Sequence, residues 1–129
     1  MNYVIDNLSD LEIIKVTVSG TLNQDMRKEI HSKAVNELNT NGYHRLLIDV
    51  TGSKVPKNFR TIDSLDLVNY MKTLETKNHL KIAFLSTQTE AGHHSFVKLS
   101  QVVGAKRIKH FRNYDEAITW LMVGKGIIT

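Results

Sequence analysis

The hydrophobic positions along the chain change their period several times, and each change marks a new element. Near the start, residues 3–5 and 11–18 alternate or run apolar with many β-branched side chains, and polar residues separate the two runs. A period of two is typical of strands, and the asparagine, serine and aspartate between them are typical of a turn. The pattern predicts an opening β-hairpin with its turn at residues 7–10.

Four longer segments place apolar residues three or four positions apart, the spacing of a helix that buries one face. The first follows the N-cap candidate Asn23 and stops at Asn41 and Gly42, because glycine favours the left-handed conformation that ends helices. The others are predicted from residue 61 or 63 to 77, over residues 93–103, and after a cap at Asn113 or Asp115.

Three short apolar runs lie between these helices, at residues 46–50, 80–85 and 107–111, and Pro56 lies in a predicted loop over residues 51–60. The first two runs are almost wholly apolar, as in strands buried on both faces of a parallel sheet. The order predicts an α/β fold: a mixed, mostly parallel sheet of about five strands that opens with a β-hairpin and is covered by four helices. A length of 129 residues predicts a single domain over residues 1–129.

Composition narrows the class of protein without identifying a reaction. The chain contains no cysteine, which excludes disulfide scaffolds, thiolate metal sites and cysteine nucleophiles. The start of the chain lacks the basic and apolar regions of a signal peptide, and no apolar run approaches the ~20 residues that span a bilayer. We therefore expect a cytoplasmic protein without a membrane span.

The net charge of +4 comes from lysines and arginines that are mostly scattered along the chain. Two local groups exist, one over residues 54–60 and one comprising Lys98, Lys106, Arg107 and Lys109. Nucleic-acid-binding proteins concentrate such residues on one element with aromatic residues between them, a pattern that is missing here. We interpret both groups as solvated surface and expect no nucleic-acid partner.

The order of elements resembles the STAS superfamily, the fold of SpoIIAA-like anti-sigma-factor antagonists and of the cytoplasmic tails of sulphate transporters. Residues 20–22 (GTL) resemble the family's exit from its second strand, and residues 46–50 (LLIDV) its central strand, which ends in an acid. Residues 61–67 (TIDSLDL) resemble its I-D-S-[ST]-G-L motif. The ending at residues 111–121 is similar to that of small stand-alone bacterial members of unassigned function.

The resemblance implies an interaction or phosphorylation site at Ser64, Asp63 and Asp49, because the family motif holds the hydroxyl that is phosphorylated in anti-sigma-factor antagonists. Leu65 stands where the family has its second hydroxyl, and Asp66 stands where it has glycine. Ser64 is therefore the one serine of this motif that a kinase could modify.

The predicted loop over residues 51–60, which follows the apolar run at residues 46–50, carries hydroxyls and cations. In an open α/β sheet, ligands bind beyond the carboxyl ends of the strands, beside the free N–H groups of helix N-termini. A composition of this kind suits an acidic ligand, although a solvated loop explains it too. The candidate anion-binding or ligand-binding residues are Thr51, Ser53, Lys54, Lys57 and Arg60.

Catalytic and metal-binding signatures are missing from the sequence. His93 and His94 are adjacent, so on a helix they point about 100° apart and cannot share a metal easily. No H-x-x-x-H spacing and no G-x-S-x-G elbow occurs. We assign no catalytic residues, no metal and no cofactor.

These observations favour a non-enzymatic STAS-like regulatory module that binds another protein through the loop over residues 51–60 and the helix that follows. The alternative is a carrier that binds a small anionic or lipid molecule in the cleft at the carboxyl ends of the strands. An exposed first strand at the edge of the sheet also allows a homodimer.

Overall fold

The structure is a computed structural model, and it describes residues 3–21, 24–54, 69–70, 72–73, 80–86 and 107–123. Strands and helices follow one another in that part of the chain in the order that the sequence predicts. The elements are β1 (Tyr3–Leu8), β2 (Ile13–Thr21), α1 (Gln24–Asn41), β3 (Arg45–Lys54), β4 (Lys81–Leu85), β5 (Ile108–Phe111) and α2 (Tyr114–Met122).

The five strands form one sheet in which spatial order follows chain order, β1-β2-β3-β4-β5. β1 pairs with β2 antiparallel, while the pairs β2–β3, β3–β4 and β4–β5 are parallel. The predicted mixed sheet with an opening hairpin is thus confirmed, and β1 lies at an edge of the described sheet.

Both faces of the sheet carry an apolar cluster, because successive side chains of a strand point to opposite sides. The larger cluster lies on the side that α1 covers, which we call the α1 face. Its buried members come from β2, β3, β4, β5 and α1 and include Leu80, the residue before β4: Ile14, Val16, Val18, Ile30, Ala34, Val35, Leu38, Leu46, Ile48, Val50, Leu80, Ile82, Phe84 and Ile108.

The opposite side, which we call the α2 face, is covered by the last helix. Its buried cluster is smaller and consists of Ile13, Leu47, Ala83, Leu85, Ala117 and Leu121. Because β3 and β4 send buried side chains to both clusters, these two strands are buried on both faces, as their uninterrupted apolar runs predict.

The predicted position of the first turn is wrong. Residues 7 and 8 continue β1 and pair with Ile14 and Ile13, so the turn lies at residues 9–12 instead. It is closed by the N–H of Leu11, which donates to the carbonyl oxygen of Leu8 at 3.0 Å. Leu8 packs against the cluster on the α2 face, and this burial outweighs the turn propensity of Asn7.

The third strand is also longer than predicted. Residues 51–54, expected to open a loop, continue β3 and pair with the end of β2. The register shifts by one position on the way: Asp49 lies opposite Thr17, and Gly52 lies opposite Ser19. Two residues of β3 therefore face one residue of β2, which is a β-bulge.

The two helices with described boundaries match the predicted segments. Gly42 has φ +70°, the left-handed conformation that ends α1. Asn113, one of two predicted caps, is the N-cap of α2, and its side chain accepts a hydrogen bond from the N–H of Glu116 at 3.1 Å.

Within the predicted second helix, the described residues 69–70 and 72–73 are helical. The predicted third helix at residues 93–103 lies outside the described residues. No helix in the described part of the chain is long and apolar enough to cross a membrane.

Candidate functional site

The carboxyl ends of the parallel strands meet at one edge of the sheet. Asp49 pairs with Leu85, and Leu85 pairs with Phe111. The ladder continues one step further, because the N–H of Ser86 donates to the carbonyl oxygen of Phe111 at 3.0 Å. The chain segments that follow β3, β4 and β5 therefore begin side by side at this edge.

Asp49 shapes the backbone at this edge. One carboxylate oxygen, Oδ1, accepts hydrogen bonds from the N–H of Thr51 at 3.0 Å and from its hydroxyl at 2.7 Å. An aspartate that bonds two residues ahead fixes a local turn. The half-buried carboxylate thus holds the β-bulge in place, with the exposed Thr51 on top of it.

Ser53 is a second polar residue that is turned toward its own backbone. Its hydroxyl donates to the carbonyl oxygen of Val50 at 3.0 Å, and the residue is only 3% exposed. A buried hydroxyl in this position contributes to the strand end and does not present a donor to a ligand in solution. The ligand-binding role that the sequence analysis gives Ser53 stays a prediction.

The side chains of the other predicted site residues lie outside the part of the chain that the structure describes. Lys54 ends β3, and its side chain lies outside the described part of the chain, as do Lys57, Arg60, Asp63 and Ser64. Of the eight candidates, the structure brings together Asp49, Thr51 and Ser53.

Two polar residues of α1 that the sequence analysis did not single out lie buried under the same end of the sheet. Arg27 and His31 are each 3% exposed, one helical turn apart. The ring of His31 packs edge-on against Phe84, with 6.0 Å between ring centroids. Phe84 pairs with Ile48 of β3 in the carboxyl half of the sheet. Arg27 and His31 therefore lie below that half.

Burial determines the protonation of this pair. Desolvation lowers the pKa of Arg27 to about 10. It also lowers the pKa of His31 to about 3, with a smaller contribution from the positive charge of Arg27. His31 is therefore neutral at pH 7, and its Nδ1 atom has no hydrogen-bond partner among the described residues.

The sequence does contain a signal for this pair. Arg27, His31, Ala34 and Leu38 follow one another at helical spacing, so the buried stripe of α1 begins with two polar residues. The apolar members of the stripe alone predict the helix, and for that reason its polar start was missed.

A segment of the predicted second helix packs beside α1. The hydroxyl of Tyr70 bonds to the hydroxyl of Ser32, and it also donates to the carbonyl oxygen of Lys28 at 3.5 Å. The ammonium group of Lys28 lies 5.6 Å from the centroid of the Tyr70 ring. These contacts position Tyr70 next to the first half of α1.

The described residues provide a polar surface of fixed shape at this end of the sheet. They contain no group of three or more histidines, aspartates or glutamates that could hold a metal ion. The hydroxyls of Thr51 and Ser53 both donate to backbone or carboxylate oxygens of their own strand. This arrangement can present a fixed surface to a partner.

Comparisons with known proteins identify the fold. No family model matches the chain, and no curated protein matches it. Among solved structures, the chain is similar to an uncharacterised protein of the DUF3478 family from Shewanella loihica PV-4, which is described as having a SpoIIAA-like fold. The two share 18% identity over 92% of this chain and 91% of the other, with a TM-score of 0.56. The chain therefore has a SpoIIAA-like α/β fold, as the resemblance of its sequence predicts.

Proposed function

We propose that this protein is a non-enzymatic interaction module that binds another protein at the carboxyl end of β3 and along the segment that follows. The observation that carries the proposal is the fixed turn at Asp49 and Thr51. Both donors of Thr51 bond to one carboxylate oxygen, so this exposed corner has a defined shape before any partner arrives. Preorganised surfaces bind with a smaller loss of conformational entropy.

The resemblance to anti-sigma-factor antagonists supports the same location, because the motif that includes Ser64 follows this strand in the chain. A phosphate on Ser64 would add about two negative charges close to Asp63 and Asp66 in the sequence. Such a change would alter binding at this end of the sheet, which gives the module a means of regulation.

Site-specific photo-crosslinking tests the location of the surface. A photoreactive phenylalanine analogue replaces Thr51 in one variant and the exposed Asn36, on the outer side of α1, in a matched control. In cells of the source organism, we expect a discrete crosslinked protein from position 51 and none from position 36. Mass spectrometry then identifies the crosslinked protein.

The identified protein is purified and titrated calorimetrically against two charge-matched variants. We expect Thr51→Arg to weaken binding at least tenfold and Asn36→Arg to change it less than twofold. Equal weakening by both variants would overturn the proposed surface. Turnover of a metabolite by the pure protein, abolished in Ser64→Ala, would overturn the non-enzymatic role.

A carrier for a small anionic or lipid molecule is a second candidate function, and the buried pair of α1 favours it. Arg27 and the unpartnered Nδ1 of His31 place polar groups under the end of the sheet where ligands of open α/β folds bind. Native mass spectrometry of protein from its own cells, before and after phosphatase treatment, separates the two functions.

A retained organic mass that is lost in His31→Leu would support the carrier. A mass of one phosphate that phosphatase removes and that maps to Ser64 would support the regulated interaction module. A bare chain, without ligand or phosphate, would contradict the carrier.

A further inference from the structure

Four cations gather at the amino end of the parallel strands, opposite the site described above. Arg45 and Lys81 are the first residues of β3 and β4 and pair with each other in the register. Arg107 lies beside Lys81, because its carbonyl oxygen accepts the N–H of Ile82 at 2.7 Å. Lys109 follows on β5, opposite Ala83. We call these four residues the cation cluster.

The geometry of the sheet makes the cluster compact. Neighbouring strands lie about 4.8 Å apart, so the Cα atoms of Arg45, Lys81 and Arg107 span about 10 Å across three strands. Arg107 and Lys109 are exposed, and Arg45 and Lys81 are half-buried. Positive side chains this close repel one another unless something negative offsets them.

Backbone carbonyls offset part of this charge. The Nε of Arg45 donates to the carbonyl oxygen of Leu121 at 3.0 Å, and the ammonium group of Lys81 donates to those of Trp120 and, at 3.4 Å, Val123. These carbonyls form the C-terminal end of α2, which has no basic residue in its own last turn. A helix end supplies about half a negative charge, much less than the four positive charges of the cluster.

The two guanidinium groups are anchored by one nitrogen each. Arg107 donates through Nε to the carbonyl oxygen of Leu80 at 2.8 Å, as Arg45 does to that of Leu121. Neither arginine uses Nη1 or Nη2 in a hydrogen bond with the described residues. The fork of an anchored guanidinium matches a carboxylate or a phosphate, which it can bind through two parallel hydrogen bonds.

No carboxylate of the described residues forms an ion pair with any member of the cluster, whereas Lys33 on α1 pairs with Glu29 at 3.9 Å. The pKa of Lys81 reflects this environment. Burial lowers it first, and the charges of Arg107, Arg45 and Lys109 lower it further. The cluster therefore lacks a negative partner within the described part of the chain.

We propose that the cation cluster is a second binding surface, which receives an acidic segment of a partner protein. An extended or helical peptide with several glutamates or aspartates places carboxylates about 5–7 Å apart, a spacing comparable to that of cations on adjacent strands. The surface is independent of the proposed function, because it lies at the opposite end of the sheet.

Two aromatic residues beside the cation cluster favour an acidic peptide over a nucleic acid as its partner. The ammonium group of Lys81 lies 4.4 Å from the centroid of Trp120, and that of Lys109 lies 5.4 Å from the centroid of Phe111. The two rings also pack against each other at 5.5 Å. Rings covered in this way do not offer open faces for base stacking, on which single-strand binding depends.

A lipid bilayer fits the cation cluster less well than an acidic peptide does. Among the described residues next to the cation cluster, one large apolar side chain is exposed, that of Val123. One valine provides little apolar area to insert into a bilayer, and binding to lipid headgroups strengthens with such insertion.

Fluorescence anisotropy with a fluorescein-labelled octaglutamate peptide tests the proposal. The variant Arg107→Gln/Lys109→Gln removes two charges from the cluster. The matched control, Lys33→Gln/Arg112→Gln, removes two exposed charges elsewhere. We expect the first variant to weaken binding at least tenfold and the control to weaken it at most twofold.

Equal weakening by both variants, or no binding of the peptide by the wild type, would overturn the proposal. A dodecathymidylate strand or phosphatidylserine vesicles that bind more tightly than the peptide would overturn it in favour of a nucleic acid or a membrane. If the double variant fails to fold, Lys109→Gln alone keeps the test, since its side chain anchors no backbone group in the described residues. We expect at least a threefold loss from that single change.

Discussion

The two ends of the parallel strands use polar side chains in opposite ways. At the carboxyl end, Asp49, Thr51 and Ser53 bond to one another or to the backbone of their own strand. At the amino end, Arg45 and Arg107 each bond to a carbonyl through Nε, and no carboxylate of the described residues pairs with them.

This difference implies that the carboxyl end recognises a partner by its shape and the amino end by its charge. Polar groups that satisfy one another fix a backbone and have little left to attract a ligand, so recognition there depends on the fit of a surface. Charges without a counterion raise the local potential, which accelerates the encounter with an oppositely charged partner. The same sheet can therefore offer one preorganised surface and one electrostatic surface.

Acid should destabilise the folded protein through the buried His31 near the carboxyl end of the sheet. The pKa of His31 is lowered from 6.5 to about 3 in the folded protein. Below pH 6.5 the unfolded chain therefore binds a proton that the folded chain does not bind, so stability falls as the pH decreases toward 3. We expect the contribution of His31 to lower the free energy of unfolding by about 3 kcal/mol between pH 7 and pH 4.

Urea unfolding at both pH values measures this loss as a difference between variants. His31→Leu should remove that part of the pH dependence, and the exposed His44→Leu should leave it in place. A wild type and a His31→Leu variant with the same pH dependence would show that His31 is not buried as described.

Loss of the hydrogen bond by which Arg45 anchors the end of α2 should give the second largest decrease in the free energy of unfolding. Arg45→Met keeps most of the aliphatic length but loses the bond from Nε to the carbonyl oxygen of Leu121. We expect the free energy of unfolding to fall by about 1–2 kcal/mol, because a charged donor leaves a helix end. Lys109→Met, without such a bond, should change it by less than about 0.5 kcal/mol.

Urea denaturation at constant ionic strength measures both variants. Equal losses for Arg45→Met and Lys109→Met would mean that the cluster acts through its total charge and not through the anchored guanidinium.

Loss of one hydrogen bond from the turn at Asp49 should give the smallest decrease in the free energy of unfolding. Thr51→Val removes the hydroxyl that donates to the carboxylate at 2.7 Å and keeps the backbone donor. We expect a loss of about 0.5–1 kcal/mol, since the position is exposed and one of two bonds remains. Thr51→Ser restores the hydroxyl and should recover most of the stability in the same assay, whereas equal losses for valine and serine would exclude this bond as the cause.

The sequence was sufficient for the order and type of the strands because each carries its own pattern. The alternation in β1 and β2 and the apolar runs of β3 and β4 reflect which faces are buried. Positions where tertiary pairing overrides local preference were predicted wrongly. Asn7 and Leu8 continue a strand because Leu8 is packed, and residues 51–54 extend β3 because β2 offers a partner beyond the bulge.

Local patterns show the buried pair only as the polar start of the stripe on α1, and they do not identify the cation cluster. Arg27 and His31 interrupt no periodicity, and their burial depends on the strands that α1 covers. Arg45, Lys81 and Arg107 are far apart along the chain and become neighbours through the parallel register. Without their neighbours on adjacent strands, Arg107 and Lys109 are indistinguishable in the sequence from solvated surface residues.

The most direct test of the difference between the two ends is an NMR titration with unlabelled octaglutamate. Amide shifts of the ¹⁵N-labelled protein report where the peptide binds. We predict the largest shifts at residues 45, 81, 107, 109 and 123, with little change at residues 49–53. The largest shifts at residues 49–53, with unchanged amides at the amino end, would contradict the assignment of shape to one end of the sheet and charge to the other.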